Sequence, residues 1–175
     1  MVRVWDLFIR VLHWSLAVLL LTAYLSARWR AVHLWTAYAI LALLAARLVW
    51  GLAGPRYARW ARFIPTPAVI VQYLRLVLAR REPRYLGHNP AGGAMVVTMF
   101  AALLAISVTG FLLQSDAFWG SESMQGAHAL LAYGAIALLP IHIAGVIVTG
   151  LRHRENLVWS MLTGLKRAPR DGDIT

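Results

Sequence analysis

The sequence has no cysteine and little charge. The absence of Cys among 175 residues excludes disulfides, iron–sulfur clusters, thiolate zinc sites and covalently attached c-type haem. Charged residues make up 14% of the chain, whereas 60% of the residues are apolar or aromatic. This composition excludes a disordered chain and disfavours an ordinary soluble domain. We therefore expect most of the chain to lie in a membrane.

Four long apolar runs are present, at about residues 7–27, 32–53, 91–113 and 126–150. Each run is long enough to cross roughly 30 Å of hydrocarbon as a helix. The first run resembles a signal peptide, but it is longer than one needs and it contains His13, so we interpret it as a retained span. The sequence predicts an all-α membrane protein, a bundle of four transmembrane helices forming a single domain over residues 1–175.

The basic residues predict the topology of these spans. The net charge is +10, which in a soluble protein would indicate nucleic-acid binding; here no nucleic-acid partner is expected. Seven arginines lie in the connection between the second and third runs, whereas the connection at 114–125 has no Lys or Arg. The positive-inside rule then places both termini in the cytoplasm. A multi-pass location in the inner (cytoplasmic) membrane is expected.

A shorter apolar stretch lies within the arginine-rich connection. It follows Pro65 and Pro67 and ends before Pro83, and it is too short to span the bilayer. One interpretation is a short amphipathic helix at the cytoplasmic interface. The alternative is a solvated, positively charged loop without a ligand role.

Four of the six histidines lie within the apolar runs, where a polar ring is expensive and usually functional. His128 and His142 are 14 residues apart, which places both on nearly one helix face about 21 Å apart. His13 and His142 lie at a similar depth, roughly 22 Å below the outer boundary. His33 and His128 both begin their spans near that boundary. The spacing predicts two histidine pairs, an inner pair and an outer pair.

Two facing imidazoles fit a six-coordinate haem b, because the porphyrin supplies the other four nitrogens. A closed zinc site would need further donors, and no Asp or Glu lies within any span. We therefore predict two haem b groups with iron ligands His13 and His142 (inner) and His33 and His128 (outer). The alternative for each histidine alone is a hydrogen-bonded polar residue in the bundle.

Arginines near these histidines are candidates for the anionic haem propionates. Arg47 follows His33 by 14 residues and lies at the inner level, and Arg10 precedes His13 by three residues. Arg28 and Arg30 are the corresponding outer candidates. The alternative for all four is snorkelling of the side chain to the membrane interface.

Motifs along nearly the whole chain resemble one family. They are Val4-Trp5-Asp6, Arg10-Val11-Leu12-His13-Trp14, His33-Leu34-Trp35-Thr36-Ala37-Tyr38, Arg47-Leu48-Val49-Trp50-Gly51, Gly54-Pro55-Arg56-Tyr57-Ala58-Arg59, Tyr85-Leu86-Gly87-His88-Asn89-Pro90, the pair His128 and His142, and Arg154-Glu155-Asn156-Leu157. The chain resembles the bacterial cytochrome b561 and nickel-hydrogenase-type b cytochromes, which are four-helix dihaem membrane proteins.

The resemblance implies b haems ligated by one histidine from the first helix, one from the second and two from the fourth. The third helix supplies no ligand. His88 and His153 then lie outside the pairing on the cytoplasmic side, where they are candidates for a quinone or proton role. The connection at 114–125 is shorter than in many relatives, which disfavours docking of a large periplasmic partner.

Three functions remain open. The first is electron transfer in a respiratory chain, between ubiquinone or another membrane quinone and a periplasmic partner such as a c-type cytochrome or a hydrogenase. The second is a superoxide:quinone oxidoreductase, in which Arg28 and Arg30 would steer superoxide. The third is a haem-free structural or transport bundle. The sequence identifies neither catalytic residues nor a quinone site.

Overall fold

The structure is a computed structural model that describes residues 1–175, and it is mostly helical. Its helices are α1 (Leu7–Leu25), α2 (Arg30–Ala53), α3 (Pro67–Leu78), α4 (Pro90–Leu112), α5 (Glu122–His153) and α6 (Leu157–Thr163). Two short strands, β1 (Val2–Arg3) and β2 (Leu165–Lys166), pair antiparallel with Val2 opposite Lys166. Single 3-10 turns occupy Arg56–Ala58 and Trp60–Arg62.

Four of these helices, α1, α2, α4 and α5, are long and apolar enough to cross a membrane. This confirms the predicted all-α class and the four predicted spans. Helix α5 is longer than its predicted run and has 32 residues, about 48 Å at 1.5 Å per residue. Helix α3 confirms a short helix between the second and third spans, although its position at the membrane interface stays a prediction.

Contacts within the chain define two compact units. The first contains Met1–Arg10, Val49–Val97 and His142–Thr175, and the second contains Val11–Leu48 and Thr98–Ile141. Each of the four long helices contributes residues to both units. The single domain and the cytoplasmic termini stay predictions.

The apolar core of the first unit forms around Trp5, which is buried with Ile9 and Leu86. Asp6 begins α1 by accepting a hydrogen bond from the Ile9 backbone N–H at 3.0 Å, as an N-terminal cap does. Gly164 ends α6 in the left-handed conformation at φ +82°, and its carbonyl accepts a hydrogen bond from the Trp5 backbone N–H. The start and end of the chain are therefore held in one core.

A buried charge network surrounds Arg84 in the same unit. The guanidinium binds Glu155 and Asp173, each at 2.6 Å, and Lys166 lies 3.5 Å from the second oxygen of Glu155. Burial alone would raise the pKa of the Glu155 carboxyl, but the hydrogen bond from Arg84 and the charges of Lys166 and Arg84 hold it below its ordinary value. The network joins the connection before α4, the residues just after α5 and the C-terminal segment. Each charged group stabilises the others, since an unpaired buried charge is costly.

Replacing Arg84 should destabilise the protein strongly. Arg84→Gln leaves the buried Glu155 carboxylate without its main partner, so we expect the free energy of unfolding to fall by about 3 kcal/mol. Thermal unfolding of the detergent-solubilised protein measures the change. Arg81→Gln is the matched control, because Arg81 is an exposed arginine of the same connection, and it should change stability by less than about 0.5 kcal/mol. Equal effects of both variants would contradict the role given to Arg84.

The stability lost in Arg84→Gln should depend on pH. A hydrogen bond from the Arg170 backbone N–H, together with Arg84, lowers the pKa of the Asp173 carboxyl, and the pKa of Glu155 is also lowered. Groups with a lowered folded pKa stabilise the protein above their unfolded pKa of about 4, and this stabilisation is lost as the pH falls through the folded value. The gap in melting temperature between wild type and variant should narrow below about pH 4; a constant gap from pH 7 to pH 3 would contradict this.

Candidate metal centre

The structure brings the predicted outer pair together within the second unit. His33 on α2 and His128 on α5 have ring centroids 6.1 Å apart, with the ring planes inclined at 74°. Two imidazoles that ligate one metal ion from opposite sides, each with a nitrogen about 2 Å from it, have centroids about 6 Å apart. The separation fits a shared ion, although ligation by these residues stays a prediction.

The backbone of α1 determines which nitrogen of His33 carries the proton. Nδ1 lies 2.9 Å from the carbonyl oxygen of Ala23, and a carbonyl can only accept a hydrogen bond. Nδ1 is therefore protonated and donates. This leaves the lone pair on Nε2, the arrangement found when a histidine binds a metal through Nε2.

Helix α4 contacts His128 through two consecutive residues. The hydroxyl oxygen of Thr109 lies 2.9 Å from Nδ1 of His128. A methyl group built on Gly110 would lie 3.1 Å from the ring carbon Cε1, so the ring packs directly against the helix backbone. Thr109 could not be found from the sequence, because nothing in its local sequence distinguishes it from other hydroxyl residues of the spans.

The protein supplies too few ligands for a metal ion on its own. No group of three or more His, Cys, Asp or Glu side chains could hold one, so an ion bound by this pair of imidazoles would need further donors from outside the chain. A porphyrin provides four nitrogens. The surroundings are apolar, since Ala23 packs against a buried cluster of Leu20, Ile40, Leu44 and Leu103. The residues present therefore fit a haem.

The predicted inner ligands lie in different units. His13 is in the second unit on α1, partly buried, with its ring edge-on to Trp14 at 5.1 Å. His142 is in the first unit on α5 and is also partly buried. Their pairing stays a prediction.

The arginines proposed for the propionates differ in environment. Arg47 is only 6% exposed although it lies on an apolar span. Arg10 donates a hydrogen bond to the carbonyl of Leu162 within the first unit. Arg28 lies over the Trp29 ring at 5.0 Å, and Arg30 over the Trp119 ring at 5.1 Å. Burial distinguishes Arg47 from the other three arginines, and its role at a propionate stays a prediction.

The two remaining histidines lie in the first unit. The ring of His88 packs 4.7 Å from Trp5 and 4.6 Å from Phe63, and it lines a groove of about 280 Å³ together with Arg56 and Arg62. His153 lines a second, open pocket near Arg152 and Glu82. Neither pocket identifies its ligand, so their quinone or proton role stays a prediction.

Four membrane-crossing helices with a histidine pair suited to haem define a multi-pass membrane protein of the b-type cytochrome class. The family model for prokaryotic cytochrome b561 matches residues 4–164. The chain belongs to this family, whose members are electron-transfer proteins for which haem b is expected. The predicted resemblance is thereby confirmed.

Two curated relatives extend the comparison. The chain is 23% identical to a probable Ni/Fe-hydrogenase B-type cytochrome subunit of Bradyrhizobium diazoefficiens over 209 aligned positions, which cover 93% of this chain and 85% of the relative. A protein of the same description from Rhizobium leguminosarum bv. viciae is also 23% identical, with 93% and 87% covered. The 209 positions exceed the 175 residues of the chain, so the relatives contain insertions. No solved structure matches the chain significantly.

Enlarging Gly110 should disturb the His128 ring. In Gly110→Ala the added methyl would lie 3.1 Å from Cε1, so the ring must move by a few tenths of an ångström. We expect weaker haem retention, measured as the haem-to-protein ratio after purification. Gly134→Ala is the matched control, because nothing lies within 4 Å of that position. Haem content in Gly110→Ala equal to that in Gly134→Ala and the wild type would contradict this placement.

Proposed function

We propose that this protein is a dihaem b-type cytochrome that carries electrons across the bacterial inner membrane between a membrane quinone and a periplasmic redox partner. The observation that carries the proposal is the 6.1 Å separation of the His33 and His128 rings. Each ring has its Nδ1 beside an oxygen atom, the Ala23 carbonyl or the Thr109 hydroxyl. Haem b, when bound, supplies a one-electron carrier that alternates between ferric and ferrous iron.

His33 and His128 would hold the outer haem, and His13 and His142 the inner haem. The inner pair is supported by the sequence spacing and by the partial burial of both rings. Arg47 supports it further, because its buried guanidinium would neutralise a propionate where solvent cannot. Arg10, Arg28 and Arg30 are the other candidates for the propionates: Arg10 bonds the carbonyl of Leu162, and Arg28 and Arg30 lie over tryptophan rings.

The direction of the chain in the membrane follows from its charges. The arginine-rich connection and both termini would lie in the cytoplasm. Helix α3 would lie on the same membrane surface, because it exposes Val69, Val71 and Leu74 and is too short to cross. The connection at 114–125 would then face the periplasm.

A hydrogenase is the periplasmic partner that the relatives favour, since both are named as hydrogenase cytochrome subunits. Electrons from it would reduce ubiquinone or another quinone dissolved in the bilayer. The short connection at 114–125 offers little surface outside the spans, so a small c-type cytochrome is the alternative partner. Reduction of the purified cytochrome by one partner and not by the other distinguishes them.

Single histidine substitutions test the proposed ligand pairs. His33→Ala or His128→Ala should remove one haem and retain the other, whereas His13→Ala or His142→Ala should remove the second haem and retain the first. Reduced-minus-oxidised spectra and haem-to-protein ratios measure the losses. His153→Ala is the control, since His153 lies outside both proposed pairs, and it should retain two haems. Loss of the same haem in His33→Ala and His142→Ala would contradict the pairing.

A further inference from the structure

We propose that Thr109 is a positioning residue that sets the tautomer and orientation of the outer haem ligand His128, and thereby the midpoint potential of the outer haem. The inference rests on the proposed function, in which His33 and His128 hold that haem. It assigns a role to α4, the one long helix that supplies no histidine ligand.

The hydrogen-bonding capacity of the Thr109 hydroxyl supports this assignment. Its oxygen lies 3.0 Å from the carbonyl oxygens of both Ala105 and Ile106, and carbonyls only accept. A hydroxyl has one proton, which is directed to these carbonyls. The oxygen therefore has a lone pair for a donor, and Nδ1 of His128 lies 2.9 Å from it. In this arrangement Nδ1 of His128 donates, and the lone pair on Nε2 is available to iron.

Each of the two proposed outer ligands thus has an oxygen atom as hydrogen-bond acceptor at Nδ1, but the two acceptors differ in kind. His33 donates to the backbone carbonyl of Ala23, which no substitution can remove. His128 donates to the hydroxyl of Thr109, which a substitution can remove while the helix stays intact, although the backbone carbonyl of Ile106 is a second partner of the same ring. Gly110, the next residue, lets the ring approach the α4 backbone and so keeps it within reach of the hydroxyl.

An acceptor at Nδ1 has a defined effect on a metal-binding histidine. It fixes the tautomer and makes the ligating nitrogen more basic. A more basic ligand stabilises ferric more than ferrous iron and therefore lowers the midpoint potential of the haem. Removing the acceptor should raise that potential, and the inner haem should be unaffected.

The experiment compares Thr109→Val with Thr109→Ser in purified protein in detergent. Valine keeps the shape of threonine without the hydroxyl, and serine keeps the hydroxyl. Ser107→Ala is the control, because the Ser107 hydroxyl lies on the same helix and donates to the backbone carbonyl of Leu103, one turn earlier. Optical redox titration gives the midpoint potential of each haem, and the haem lost in His128→Ala identifies the outer one.

We expect Thr109→Val to raise the midpoint potential of the outer haem alone, and Thr109→Ser and Ser107→Ala to match the wild type. If Thr109→Val loses the outer haem, retention at the wild-type potential in Thr109→Ser supports the same conclusion. Unchanged potentials in Thr109→Val, or equal shifts in the valine and serine variants, would overturn the role of Thr109 and leave the proposed function intact. Wild-type protein without haem would overturn both.

Discussion

The cost of placing an imidazole in hydrocarbon is the constraint on which this account depends. Each ring nitrogen needs a partner, because an unsatisfied polar group in an apolar region costs several kcal/mol, on the order of a whole hydrogen bond. In the second unit, the Nδ1 atom of His33 lies within hydrogen-bonding distance of the Ala23 carbonyl, and the Nδ1 atom of His128 within hydrogen-bonding distance of the Thr109 hydroxyl. The opposite nitrogens then need a partner of their own, which the iron of the proposed outer haem would provide.

The first unit contains buried charged side chains, and these must be paired with one another. Its many arginines are the basis of the proposed topology, and an arginine that is buried must also be paired. Arg84 meets this requirement through Glu155 and Asp173, and β1 pairs with β2 to join the two ends of the chain. The first unit thus fixes the ends of the long helices through ion pairs and short strands, whereas the second places polar rings in an apolar setting.

The sequence predicted those features that depend on composition and local spacing. The four spans follow from apolar length, and His33 and His128 stand out because few polar residues occur in the spans. The contact of Thr109 with His128 could not be predicted. Hydroxyls in membrane helices usually donate to the backbone carbonyl four residues earlier in the same helix, as Ser107 and Thr22 do. The contact with His128 depends on how α4 packs against α5. The ion pair between Arg84 and Asp173 could not be predicted either, because 89 residues separate the two in the sequence.

The most direct test of the central claim is the haem content of the purified protein. The reduced-minus-oxidised spectrum identifies the haem type, and extraction of the haem gives the number bound per chain. We expect b-type bands and two haems per chain, held without covalent attachment because the chain has no cysteine. Protein that is folded and free of haem would contradict the account, and a single haem per chain would contradict the assignment of two histidine pairs.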